Sequence, residues 1–133
     1  ISGGDVSAFN ILINNAGDKG FSAGENSRLI INDSEINSSK IAIASKDFSI
    51  VNVDNFEINE AEVAFAAYQK KPEYGPATIN VNKFKFNKKI IKKYLLEKNS
   101  TIIVSGEKIK PNSTNVQSML YGNWNGAEIW SSL

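Results

Sequence analysis

"GFSAGENSRLIINDSEI", residues 20–36, is answered by "AIASKDFSIVNVDNFEI", residues 42–58. Overlaid at an offset of 22 residues, the two share small residues, a polar step, a Ser, and alternating apolar residues that end in Glu-Ile. Ser27 marks the first copy: Leu29 and Ile31 alternate after it, Asp33 and Ser34 turn, and Ile36 closes the unit. Ser49 is followed in the same way by Val51, Val53, Asn55, Phe56 and Ile58. Ala77 leads Ile79, Val81, Lys83, Phe84 and Phe86, and Ser100 leads Ile102, Val104, Gly106 and Ile109. At the front, Ser7 leads Phe9 and Ile11 in a shorter version. A second recurring position holds Phe21, Ile43, Phe65 and Tyr94.

Period-2 alternation over four to six residues predicts half-buried strands. Self-similarity near 22 residues predicts a solenoid, because one such unit cannot bury its apolar row alone. The expected fold is all-β: a right-handed parallel β-helix of about five coils over residues 1–109, with a C-terminal cap or strap over 110–133. Leu29, Val51, Ile79 and Ile102 would then stack in one aliphatic column. The competing expectation is a β-sandwich with strands of similar length. Asn suits the turns, since it tolerates left-handed backbone and can ladder between neighbouring coils. The long interval between Ser49 and Ala77 is explained by an inserted loop, "YQKKPEYGP", residues 68–76. "KKIIKKYLLEK", residues 88–98, reads either as a short amphipathic helix or as a strand, and the position of Tyr94 favours the strand. Val116, Met119, Leu120, Trp124 and Trp130 are the candidate cap residues.

The chain has 133 residues, 15 basic and 14 acidic, for a net charge of +1. That size suits one domain. The overall balance gives no expectation of nucleic-acid binding. Cysteine and histidine are both absent, which removes thiolate chemistry and the commonest general base and metal ligand. No apolar run is long enough to span a membrane as a helix. The chain opens without Met in mid-pattern, which points to a piece of a longer protein.

"GDKGFSAGENS", "IAIASKDFS", "AEVAFAAYQKKPEYGP" and the Asn-Asp turn positions resemble the right-handed parallel β-helix superfamily shared by pectate lyases. More narrowly they resemble β-helix segments of large bacterial surface or exported proteins. The resemblance covers residues 5–109 and implies a fold shared by many activities. It implies an extracellular or cell-surface location in a bacterium. In the lyases of that superfamily a Lys or Arg abstracts the proton beside a uronate carboxylate, which calcium or another cation neutralises. Here the matching candidates are Asp18, Lys19, Glu25, Arg28, Lys46 and Asp47. Glu25 and Asp47 each lie two positions before a marker Ser, so they would stack, with Lys46 beside them near Gly24. Calcium is the one cofactor the resemblance brings in.

A second candidate contact surface is the loop, where Tyr68, Lys70, Lys71 and Tyr74 offer rings and charges to a glycan or a protein. Lys88, Lys89, Lys92 and Lys93 read as a solvated, edge-protecting run, with contact to an anionic polysaccharide as the alternative. The leading functional expectation is a non-catalytic module of an exported bacterial protein that presents a surface to polysaccharide or protein. The alternative is a fragment of a polysaccharide lyase or other carbohydrate-active enzyme. End-to-end pairing of two copies, or packing on an upstream domain, would cover an open first coil.

Overall fold

The computed structural model describes residues 1–121, so the expected roles of Trp124 and Trp130 lie outside the described residues. Ten strands form one large, largely parallel sheet, and 65% of the described residues are strand. In chain order they are β1 (Asp5–Phe9), β2 (Leu12–Ile13), β3 (Ala16–Ala23), β4 (Arg28–Ile36) and β5 (Ser39–Lys46). Then come β6 (Ile50–Tyr68), β7 (Thr78–Val81), β8 (Phe84–Leu96), β9 (Thr101–Val104) and β10 (Glu107–Lys108), followed by helix α1 (Val116–Tyr121). Among them only β10, folded back on β9, pairs antiparallel. Residues 88–98 are strand for most of their length, as Tyr94 indicated.

The sequence repeat sets the register. β4 pairs with β6 so that Leu29 faces Val51 and Ile31 faces Val53. β7 and β9 extend the row, bringing Ile79 beside Val51 and Ile102 beside Ile79. Leu29, Val51, Ile79 and Ile102 are all buried in one core. Each such side chain withdrawn from water contributes about 1.5–3 kcal/mol. The second recurring position aligns equally: Phe21 pairs with Ile43, Ile43 with Phe65, and Phe65 with Tyr94. The Phe65 and Tyr94 rings stack 6.2 Å apart.

At the front the register differs from the expectation. Asp5 pairs with Arg28, so Gly4, not Ser7, occupies the marker position. Val6 and Ala8 therefore continue the apolar columns of Leu29 and Ile31, while Phe9 pairs with Asn32 on the outward face. The marker Ser explains the difference, because its hydroxyl serves the preceding repeat. Ser27 Oγ accepts the Gly4 N–H at 3.3 Å, Ser49 Oγ the Ser27 N–H at 3.1 Å, and Ser100 Oγ the Ala77 N–H at 3.0 Å. These amides, fully buried at Ser27 and Ala77 and partly at Gly4, sit at corners where a side chain supplies the acceptor. Where the marker is Ala77, Ser49 N–H turns instead to Lys46 O at 3.1 Å.

The corners use left-handed backbone. Asn10, Asp33 and Asn55 have φ of 55°, 51° and 56° at matching positions of successive repeats. Asn and Asp tolerate this region because their short polar side chains bond locally. Asn side chains also ladder across repeats: Asn37 donates to Asn14 Oδ1 at 2.8 Å, Asn59 donates to Asn37, and Asn87 donates to Asn59 Oδ1 at 2.7 Å.

The segment after β10 lies against the sheet's flank. Val116 and Leu120, one helical turn apart, pack with Met119 on Ile41, Ala44, Val63, Ala66, Tyr68 and Leu95, a second cluster on the opposite side of the strands from the main core. Asn115 Oδ1 accepts the Ser118 N–H at 2.9 Å and caps the helix. Glu97 carboxylate accepts Val116 N–H at 3.0 Å, and Lys40 Nζ donates to Leu120 O at 3.1 Å. A six-residue helix is unstable alone, so these ties and the apolar seat hold it.

Candidate functional site

Two surfaces that the sequence kept apart meet at one corner. The end of β5 carries Lys46 and the turn after it Asp47 and Phe48; the segment after β6 carries Lys70, Lys71 and Tyr74. Asp47 joins them. Its side chain is only 2% exposed, and Oδ1 accepts the N–H groups of Lys70 at 2.7 Å and Lys71 at 2.8 Å. A buried carboxylate oxygen with two amide donors is well satisfied, so Asp47 acts as the loop's anchor and does not present its charge to solvent. Asp47 N–H in turn donates to Tyr68 O at 3.2 Å.

Glu25 stands opposite Asp47 in the ladder, but their side chains diverge. Glu25 forms an ion pair with Lys71, across 46 residues of sequence. That hydrogen bond, helped by one from Ser2, holds the Glu25 carboxyl below its ordinary value, and it raises the Lys71 ammonium above its own. Lys46 runs over Gly24: a Cβ there would lie 3.4 Å from Lys46 Cε. Burial lowers the Lys46 ammonium's pKa, and the charges of Lys19 and Lys70 lower it further. Asp18 pairs with Lys19 at 2.7 Å. Lys46 has no ion-pair partner among the described residues. Arg28 lies on β4, between Asp5 and Ile50 in the ladder, and is not brought into the corner's bonding.

The loop differs from the expectation in one respect. Tyr68 is the last residue of β6 and is fully buried in the cluster beneath α1, so its ring does not face a ligand. Its neighbours Val63, Ala66 and Leu95 leave an apolar seat that an aromatic ring fills. The departing segment therefore begins at Gln69.

Sequence reasoning missed three residues that shape this corner. Gln69 Nε2 donates to Tyr74 O at 2.7 Å and Lys71 O at 3.1 Å, which folds the loop back on itself. Phe48 has φ 65°, a conformation rare for a bulky side chain, and its ring is 50% exposed. Phe48 N–H donates to Gly75 O at 3.1 Å, and the ring meets Tyr74 edge-on at 6.5 Å. Gly75 makes room for it: a Cβ there would come within 2.2 Å of the Phe48 ring. The available signal for Phe48 was an aromatic residue at a turn position where the aligned repeat has Asn26.

The corner thus offers a half-exposed ring braced by Tyr74, with the ammonium groups of Lys46, Lys70 and Lys71 on residues around it. Among the described residues no group of three or more carboxylates converges to hold a metal ion, so the calcium implied by the lyase resemblance finds no ligand set there. No family model, curated protein or solved structure gives a significant match to this chain.

Proposed function

We propose that the sheet winds as a right-handed parallel β-helix of about five turns, and that it serves as a non-catalytic carbohydrate-binding module of a larger exported bacterial protein. Parallel partners 22 to 28 residues apart support the winding, as does the way consecutive strands β4 and β5 both find their partner in β6. The hand follows the strong preference of parallel crossovers. The binding site is the corner of Lys46, Phe48, Lys70 and Tyr74. One observation carries it: Phe48 is kept in strained left-handed backbone with its ring half in water. Such strain costs about 1–3 kcal/mol and persists where the surroundings impose it. An exposed ring beside cations stacks on a sugar face while an ammonium meets a carboxylate.

Titration calorimetry with uronate and neutral oligosaccharides of two to four units tests this. Binding of a uronate oligomer, lost in Phe48→Ala and weakened in Lys46→Gln, is the expected result. No binding, or binding indifferent to Phe48, removes the corner as a sugar site.

The lowered pKa of Lys46 favours a second reading, a polysaccharide lyase in which Lys46 is the base. Unsaturated product formed from alginate, pectin or glycosaminoglycan, and abolished in Lys46→Ala, would replace the module reading.

A further inference from the structure

The net charge of +1 hides a division along the chain. Residues 1–82 carry 6 basic and 11 acidic side chains, whereas residues 83–121 carry 9 lysines and 2 glutamates. The register collects that excess at one side of the sheet. β8 has β6 as its only strand partner among the described residues, so its other edge is unpaired along most of its length. Lys85, Lys89 and Lys93 on β8, and Lys98, Lys108 and Lys110 beyond it, are exposed.

Neighbouring acids offset only part of this charge: Glu60 and Glu62 line one hollow with Lys89, and Glu107 adjoins Lys108. Glu57 and Glu60 stand opposite Lys85 and Lys89 only. Glu97 is committed to backbone, accepting Gln69 N–H at 3.2 Å and Val116 N–H at 3.0 Å. Lys93 and Lys110 have no ion pair among the described residues, and Lys93 Nζ sits 5.6 Å over the Phe86 ring. Lys92, Lys93 and Lys110 line one open groove of about 380 Å³ together with Tyr94 and Asn112. Guarding a strand edge needs only a charge or two on that strand. It does not call for further lysines on a separate segment around the same groove.

We infer that this edge and groove bind an extended anionic polysaccharide, at a second surface that does not rest on the corner described above. Lys85, Lys89 and Lys93 recur at every fourth residue and so lie about 13 Å apart along β8, which suits a polymer with regularly recurring carboxylates or sulfates. Lysine supplies point charges without the planar fork that reads phosphates and bases.

The test is affinity electrophoresis and titration of the full chain against polygalacturonate, heparin, dextran and duplex DNA. The wild type binds one or both anionic polysaccharides, ignores dextran, and loses affinity steeply between about 50 and 200 mM salt. K89E/K93E/K110E lowers that affinity by about tenfold or more, in the wild-type and in an F48A background alike. If circular dichroism shows the triple variant misfolded, K110E alone, outside any strand, gives a several-fold loss. Failure of the wild type to bind either anionic polysaccharide overturns the proposal. So does unchanged affinity in a folded lysine variant, or tighter binding to DNA. The lysine variant keeps the corner's binding of short uronate oligomers and F48A keeps the lysine-dependent part of polymer binding, so each reading can fail alone.

Discussion

Asp47 combines three demands at one position: a left-handed backbone, burial, and an acceptor for two loop amides. Asp47→Ala leaves two N–H groups without that acceptor and costs about 1–3 kcal/mol, read from urea unfolding. Asp47→Asn keeps an oxygen acceptor and tolerates the same φ, so it costs less. The Glu25–Lys71 pair makes a pH-dependent latch. Glu25's folded pKa lies below its ordinary value of 4.5, so its contribution is complete above that value and fades as pH falls through the folded one. Lys71 is raised, so its share is complete below 10.5 and fades as pH climbs through its folded pKa. Thermal melts of wild type and Glu25→Gln therefore differ at neutral pH and converge in acid. Lys46 has the opposite sense. Burial disfavours its charge, so Lys46→Met raises the melting temperature at neutral pH, and the gain shrinks as pH rises through the lowered pKa towards 10.5.

Within elements, β3 packs closest where it has no side chain. A Cβ on Gly20 would lie 2.1 Å from Ile36 Cδ1 and 2.8 Å from the Ala42 carbonyl oxygen, and that carbonyl belongs to a paired strand that cannot easily yield. Gly20→Ala is expected to cost about 1–3 kcal/mol by overpacking. Ile79→Ala opens the middle of the column between Val51 and Ile102 and costs about 2–5 kcal/mol. Both are measured by chemical denaturation. The column was legible in the sequence because alternation and a fixed offset are both properties of strand pairing. Strand β8 was legible through the recurrence of Tyr94. The front register was not: Ser7 resembles the other markers, but a marker Ser serves the repeat before it, and Gly4 N–H depends on Ser27 instead. Half of the corner was legible, since Gly24 and Lys46 follow from register. Asp47's role as an anchor, Glu25's partner and the burial of Tyr68 were hidden, because each depends on where a loop returns and where α1 packs.

Across the whole molecule the two outer sides of the sheet are unlike. Among the described residues β1, β2 and β3 each have one strand partner, and Val6, Phe9, Ile11 and Leu12 are exposed along or beside that edge. The other side is guarded by the lysines of β8 and by β10 folded back on β9. We expect the apolar edge to drive pairing of two copies, edge to edge, with mass rising over a concentration series in light scattering. A strict monomer at every concentration removes that expectation.

The serine hydroxyls point backwards along the chain, each completing the backbone of a segment made before it. As the polypeptide leaves the ribosome, the amide at Gly4 waits for Ser27, the one at Ser27 for Ser49, and the one at Ala77 for Ser100. Each of these three corners thus stays unfinished until some two dozen more residues have been translated, and a nascent chain halted just short of Ser27, Ser49 or Ser100 would leave its last segment open to protease.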